Sequence, residues 1–261
     1  MSDPRPHVER IRAQFTRQAE TYSEMRQTRE EAPLRALVAL SGARPADRAL
    51  DVACGPGFLT MAFAGACASA KGVDATPALL ERARRVAAER GIANVSFAQG
   101  DVNALAEDNG AYDVVSCRAA FHHFPDPARV LSEMARVAKP GGTLLVADLL
   151  GSEDPTQAAL HDAIERLCDP THVRALPLSE FERLFAAQGL DTVQRRTSQM
   201  EYDAEEWIAH GGPDAGIAAR IRALLEDSIE GDRAGLAVRR ENGGLRFRHR
   251  TAAFVLRTQR R

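Results

Sequence analysis

Four stretches of the chain bring together residue types that could do chemistry. The first is Leu50-Asp-Val-Ala-Cys-Gly-Pro-Gly57. An apolar run entering Gly-Pro-Gly reads as a strand-to-helix turn. Glycine there lets backbone approach a ligand closely because no Cβ intervenes, and the helix behind it offers unpaired N–H groups. The second is Asp74, ending Lys71-Gly-Val-Asp74. A carboxylate at that level can accept from two adjacent ribose hydroxyls, or cap the helix that follows. The third is Gly100-Asp101-Val102, able to hold an adenine amino group or to shape a turn. The fourth is Ser116-Cys-Arg-Ala-Ala-Phe-His-His-Phe-Pro125, with two adjacent histidines and two phenylalanines. His123, Asp148 and His172 are the groups that could take a proton. The first two project from predicted strand ends, and His172 lies in Asp169-Pro-Thr-His-Val-Arg174 between two helices. Each also has a structural reading, as a packed or surface histidine or a helix cap.

These residues need elements to position them. Val8, Ile11, Phe15, Ala19 and Tyr22 share one helical face over Pro6–Arg26, and a second helix is expected over Ala32–Leu40. Strands are then expected at 48–53, 70–74, 95–99, 112–117 and 143–149, alternating with helices at 58–68, 76–90 and 127–138. Lys139-Pro-Gly-Gly142 reads as a turn into the fifth strand. Such alternation implies βαβ units, a parallel sheet with helices on both faces, and strand C-termini along one edge where ligands bind. Helices follow at 154–168 and 179–188, then a strand at 190–197 and helical sequence over 203–230. The chain closes with strands at 236–240 and 245–258 about Glu241-Asn-Gly-Gly244, a hairpin signal.

Composition bounds the partners. A formal charge of -2 gives no global case for nucleic acid or a membrane surface. The arginines of the tail, Arg239, Arg240, Arg246, Arg248 and Arg250, alternate on a strand and read as a solvated or acid-paired face. No apolar run spans a bilayer and the charged start, MSDPRPHVERIRAQF, is no secretory leader. Cys54, Cys67, Cys117 and Cys168 form no CxxC pair, so reduced cysteines in the cytoplasm and no metal site are expected.

As an ordered set, LDVACGPG at 50–57, VDATPALLERAR at 73–84, GD at 100–101, YDVVSCRAAFHHFPDP at 112–127 and KPGG at 139–142 resemble the class I S-adenosylmethionine (SAM)-dependent methyltransferases. Within them the set is similar to the type 11 group, with the ubiquinone and menaquinone C-methyltransferases and related small-molecule enzymes. The resemblance implies an α/β, Rossmann-like, seven-stranded and mostly parallel sheet with an antiparallel last strand. It implies a helical lid at 1–45, a SAM-binding core at 46–197, an inserted helical lid at 198–235, and a hairpin at 236–261 completing the sheet. Carried over residue by residue, Asp51, Ala53, Gly55 and Gly57 would wrap the methionine end of SAM. Asp74 would bind the ribose, Ala75, Asp101 and Val102 would surround the adenine, and Arg118 would stand where members make a backbone contact to the cofactor. Tyr22, in Phe15-Thr-Arg-Gln-Ala-Glu-Thr-Tyr22, would belong to the lid. Ala53 departs from the glycine that many members have. The product would be S-adenosylhomocysteine, the acceptor a small molecule, and the protein a monomer or homodimer.

Other readings stay open at this point. A nicotinamide-dependent oxidoreductase shares the glycine turn and the ribose acid, but its fingerprint wants glycine where Thr60 stands. A protein that binds SAM without transferring methyl shares every residue above. A nucleic-acid methyltransferase would need a flipped-base motif such as Asn-Pro-Pro-Tyr, which this sequence lacks.

Overall fold

The computed structural model describes residues 5–258, so the outermost residues of the expected 1–45 and 236–261 segments lie outside it. The single helix expected over Pro6–Arg26 is three: α1 (Arg5–Arg17), α2 (Ala19–Glu24) and α3 (Arg26–Arg29). The breaks fall at Gln18 and at Met25, whose ψ of 132° is extended. Each break is held by tertiary contacts. The Gln18 amide donates to the Gly211 carbonyl at 3.1 Å, and the Arg118 guanidinium donates to the Gln27 carbonyl. Helix α4 (Glu31–Ser41) ends on Gly42 in the left-handed conformation.

Then β1 (Arg48–Val52), α5 (Phe58–Ala64), β2 (Ser69–Asp74), α6 (Pro77–Glu89), β3 (Val95–Gln99), β4 (Tyr112–Arg118), α7 (Pro127–Val137) and β5 (Ala138–Leu149) alternate as the apolar spacing predicts. The segment Lys139–Gly142, expected as a turn, lies within β5, where Ala138 pairs with Tyr112 ahead of a register shift. After it come α8 (Pro155–Cys168), α9 (Leu178–Ala187), β6 (Asp191–Asp203), α10 (Ala204–Gly211), α11 (Ala215–Asp227), β7 (Arg239–Glu241) and β8 (Gly244–Arg257). Strand β6 runs six residues past Thr197, the expected end, because every residue from Gln194 to Asp203 pairs with β8. The first six residues of the expected insert are therefore strand.

The sheet order is β3-β2-β1-β4-β5-β8-β6. That path has the expected seven strands, and the short β7 pairs with β8 as an eighth. Strands β1 to β5 are parallel, and β8 runs antiparallel to both β5 and β6. Apolar layers fill both faces of the sheet, with Val115, Leu131, Met134, Leu144 and Phe254 on one side and Phe63, Leu59, Val114 and Leu145 on the other. A third apolar cluster joins α8, α10 and α11 to β6 and β8 through Ile164, Trp207, Ile221, Tyr202 and Phe247. On β8, Phe247 and His249 point inward while Arg248 and Arg250 alternate outward. Arg239 and Arg248 both pair with Glu201. No helix among the described residues is long and apolar enough to cross a membrane.

Candidate active site

The turn after β1 is built on unusual backbone. Ala53, Gly55 and Gly57 all take positive φ, at 54°, 54° and 75°. For alanine this conformation costs about 1–2 kcal/mol, so the surrounding structure imposes it. At Gly57 a Cβ would lie 2.5 Å from the Phe97 ring, so both space and conformation require glycine.

Two carboxylates fix this turn. Asp74 Oδ2 accepts from Gly55 N–H at 2.8 Å and Oδ1 from Thr76 N–H at 2.8 Å. Each oxygen keeps acceptor capacity. Burial pushes the Asp74 carboxyl up, against the backbone bonds that favour its charge. Asp51 accepts from Thr60 Oγ1 and Ser116 Oγ, both at 2.7 Å. Burial pushes it up to about 6. The resemblance implies that Asp51 lies at the methionine end of the cofactor; its oxygens brace β1 against β4 and α5, and it also lines a cavity at the glycine turn. Thr60 and Ser116 are site residues the sequence reading missed.

The other expected cofactor residues divide into two groups. The Ala75 carbonyl accepts from Arg12 Nε at 3.0 Å and Gln99 Nε2 at 3.3 Å. Asp101 is exposed and holds the Asn103 backbone and side-chain amides at 2.9 Å, while Val102 packs on the main core. None of the three lines the cavities at the glycine turn, one of about 30 Å³ beside Asp51, Cys54 and Thr28 and one of about 60 Å³ beside Asp74, Thr76 and Phe124. Tyr22 lines both, with its Cε1 3.5 Å from where a Cβ on Gly55 would stand. Phe15 and His210 meet the Tyr22 ring, each with centroids 5.5 Å away. Arg118 borders the smaller cavity on its other side.

A third cavity, of about 120 Å³, shares Tyr22, Ala119 and His123 with the cavity beside Asp74, and Tyr22, Thr28 and Arg118 with the smaller one. Its walls include His122, Glu165, Tyr202, Trp207 and His249. Ala119, like Ala53, has a positive φ, of 52°. It turns the chain at the end of β4 so that both histidines face this region.

Here the proton-transfer candidates are reordered. Asp148 is no free base: Oδ2 accepts from Ala120 and Phe121 N–H at 2.8 and 2.7 Å, and Oδ1 accepts from Leu149 N–H and meets His122 Nδ1 at 2.6 Å. Burial alone would raise its carboxyl, but His122 and the backbone donors hold it below the usual range. Burial works against the charged His122 ring, yet the Asp148 carboxylate carries it above its ordinary value. His122 Nε2 makes no hydrogen bond among the described residues. His123 is pushed down to about 3 by burial and by its neighbour His122. Its Nδ1 sits 3.2 Å from Thr171 Oγ1. His172 is buried behind His122, with ring centroids 5.5 Å apart and Nε2 2.8 Å from Asp162 Oδ1. It does not line the cavity; it braces the 169–175 loop, whose Val173 and Arg174 amides donate to the His122 carbonyl.

The methyltransferase domain family matches residues 43–202. An uncharacterized methyltransferase of Bacillus subtilis, YcgJ, is 34% identical over 218 residues, 83% of this chain and 85% of that protein. The crystal structure of YcgJ superimposes with a TM-score of 0.80 at 30% identity, covering 88% of this chain and 99% of that one. A ubiquinone biosynthesis O-methyltransferase of Methylococcus capsulatus is 43% identical over 103 residues, but these are only 39% of this chain and 43% of that protein. With the Rossmann-like sheet and the glycine turn in place, these similarities show that the chain belongs to the methyltransferase domain family and is a methyltransferase.

Proposed function

We propose that this protein transfers a methyl group from SAM to a small molecule, with His122 as the base and Asp148 orienting it. The observation that carries the reading is the meeting of two spaces at Tyr22, Ala119 and His123. One is bounded by positive-φ backbone and the Asp74 carboxylate, the other by histidines.

The residues at the turn suit the cofactor. Ala53, Gly55 and Gly57 present backbone without obstruction, Asp51 braces them, and the spare lone pairs of Asp74 suit ribose hydroxyls. Ala75, Asp101 and Val102 would hold the adenine, and Arg118 would close the methionine end. When bound, SAM supplies a methyl already activated by the sulfonium. The protein then has to align the acceptor, exclude water and accept a proton where the acceptor carries one.

Tyr22 separates the two cavities at the turn, so cofactor entry requires α1 and α2 to shift together. With Nδ1 committed to Asp148, His122 can take a proton at Nε2 from an acceptor hydroxyl. The buried Asp148 would stabilise the charge that forms. An ionisable hydroxyl is supported by the O-methyltransferase relatives, one of which matches 39% of this chain. Four free cysteines suit a cytosolic setting.

Calorimetry tests the cofactor assignment. SAM and S-adenosylhomocysteine should bind the wild-type chain, NAD should not, and Asp74→Asn should bind SAM at least about tenfold more weakly. Undiminished binding by Asp74→Asn would sink the ribose assignment.

A further inference from the structure

Beyond the methyl-transfer site, three buried side chains converge where α8 crosses β8. His161 and Glu165 stand one turn apart on the same helix face. His249 projects inward from β8 against them. Their relative exposures are 3%, 7% and 2%. One ligand atom from each lies within 4.8 Å of the others.

The contacts inside this cluster are not satisfied hydrogen bonds. His161 Nε2 is 3.4 Å from Glu165 Oε1, and His249 Nε2 is 2.7 Å from the same oxygen. Yet His161 Nε2, Glu165 Oε1 and both ring nitrogens of His249 are buried with no hydrogen-bond partner. The 2.7 Å approach is an ion-pair contact that gives neither atom a well-formed hydrogen bond. Burying several polar atoms without partners is costly and rare. A shared cation would satisfy three of these four atoms at once. Ligands about 2.0–2.2 Å from a tetrahedral ion stand roughly 3.3 Å apart; the His161–Glu165 separation of 3.4 Å matches this, and the His249–Glu165 contact of 2.7 Å would have to lengthen as an ion entered.

We propose that His161, Glu165 and His249 form a divalent transition-metal site. Two histidines and one carboxylate are a donor set used by catalytic zinc, in which the protein leaves a coordination position open. Tyr202, Trp207 and Phe247 pack around the His249 ring and keep the site apolar on that side, with centroids 4.8, 6.3 and 5.1 Å away. Glu165 and His249 line the same cavity as His122. The open position therefore faces the space assigned to the acceptor. Resting on the methyl-transfer reading, the ion would hold the acceptor by a hydroxyl oxygen and set it opposite His122.

The test needs neither cofactor nor acceptor, so it can succeed or fail independently of the methyl-transfer reading. The purified full chain is stripped with a chelator, then titrated with Zn2+ by calorimetry and with Co2+ by visible absorption. Wild type should bind one equivalent of each and show the visible bands of low-coordinate Co2+. Glu165→Gln and His249→Ala, checked for folding by circular dichroism, should lose affinity by more than the roughly 10–100-fold that an outer partner costs. Should either variant not fold, the Co2+-loaded wild type should still show two paramagnetically shifted imidazole N–H resonances. Absence of stoichiometric binding, unchanged affinity in both folded variants, or a Co2+ spectrum without histidine ligands would overturn the site.

Discussion

His122 Nδ1 lies 2.6 Å from Asp148 Oδ1, and this contact separates the roles of two adjacent histidines. His122 is carried above its ordinary range while His123 is pushed down to about 3. The acid limb of kcat/KM should therefore fall above the ordinary histidine value of about 6.5. His122→Asn should abolish that limb and lower kcat roughly 100- to 10,000-fold. A pH profile unchanged in His122→Asn would remove it as the base.

The same pair makes stability depend on pH in both directions. Asp148 is lowered on folding, so its contribution is present above about 3.9 and lost as pH falls through its folded value. His122 is raised, so its contribution is complete below about 6.5 and lost as pH rises through its folded value. Thermal denaturation across pH should show this contribution complete between about 4 and 6.5. Asp148→Asn should flatten both slopes and cost roughly 3–5 kcal/mol.

The glycine turn gives a pair of opposite predictions. Ala53→Gly releases a left-handed alanine, a gain of about 1–2 kcal/mol, against about 0.4–1 kcal/mol for the more flexible unfolded chain. Its Tm should rise slightly. Gly57→Ala should lower Tm, because overpacking against Phe97 costs roughly 1–3 kcal/mol on top of the backbone strain.

Tyr22→Ala should join the two small cavities that its ring now divides. Stopped-flow mixing with SAM should show faster association, followed by the fluorescence of Trp207, the one tryptophan. Thermal stability should fall, by up to the roughly 3–5 kcal/mol typical of a large aromatic truncated to alanine. Unchanged association would mean that α1 and α2 do not limit entry.

The parallel half of the fold was legible because its signals are local. Short apolar runs alternate with amphipathic helices from Arg48 to Leu149, and the glycine turn and Asp74 sit at the ends of those runs. Long-range contacts were not legible. Nothing between Val8 and Tyr22 reveals the break at Gln18, which follows from its bond to Gly211. The true end of β6 depends on a partner strand some 50 residues later. His161 and Glu165 stand four residues apart, but two donors on one helix face do not by themselves mark a metal site. His249, the third member, lies on another element far along the chain. Likewise, Asp148 could be read as a base or a helix cap, because its four partners come from the turn after β4 and from Leu149.

Strand β8 lies between β5 and β6, although it is the last of the three to be synthesised. Until residues 244–257 emerge from the ribosome, β5 keeps an open edge and β6 has no neighbour. The nascent chain can pair the five parallel strands first, then must seat an interior strand last. The wall of the third cavity that carries His249 is added in that final step. A chain stalled before it would keep the glycine turn and His122 but display the unpaired edge of β5 and both edges of β6, which makes aggregation during synthesis the natural weakness of this architecture.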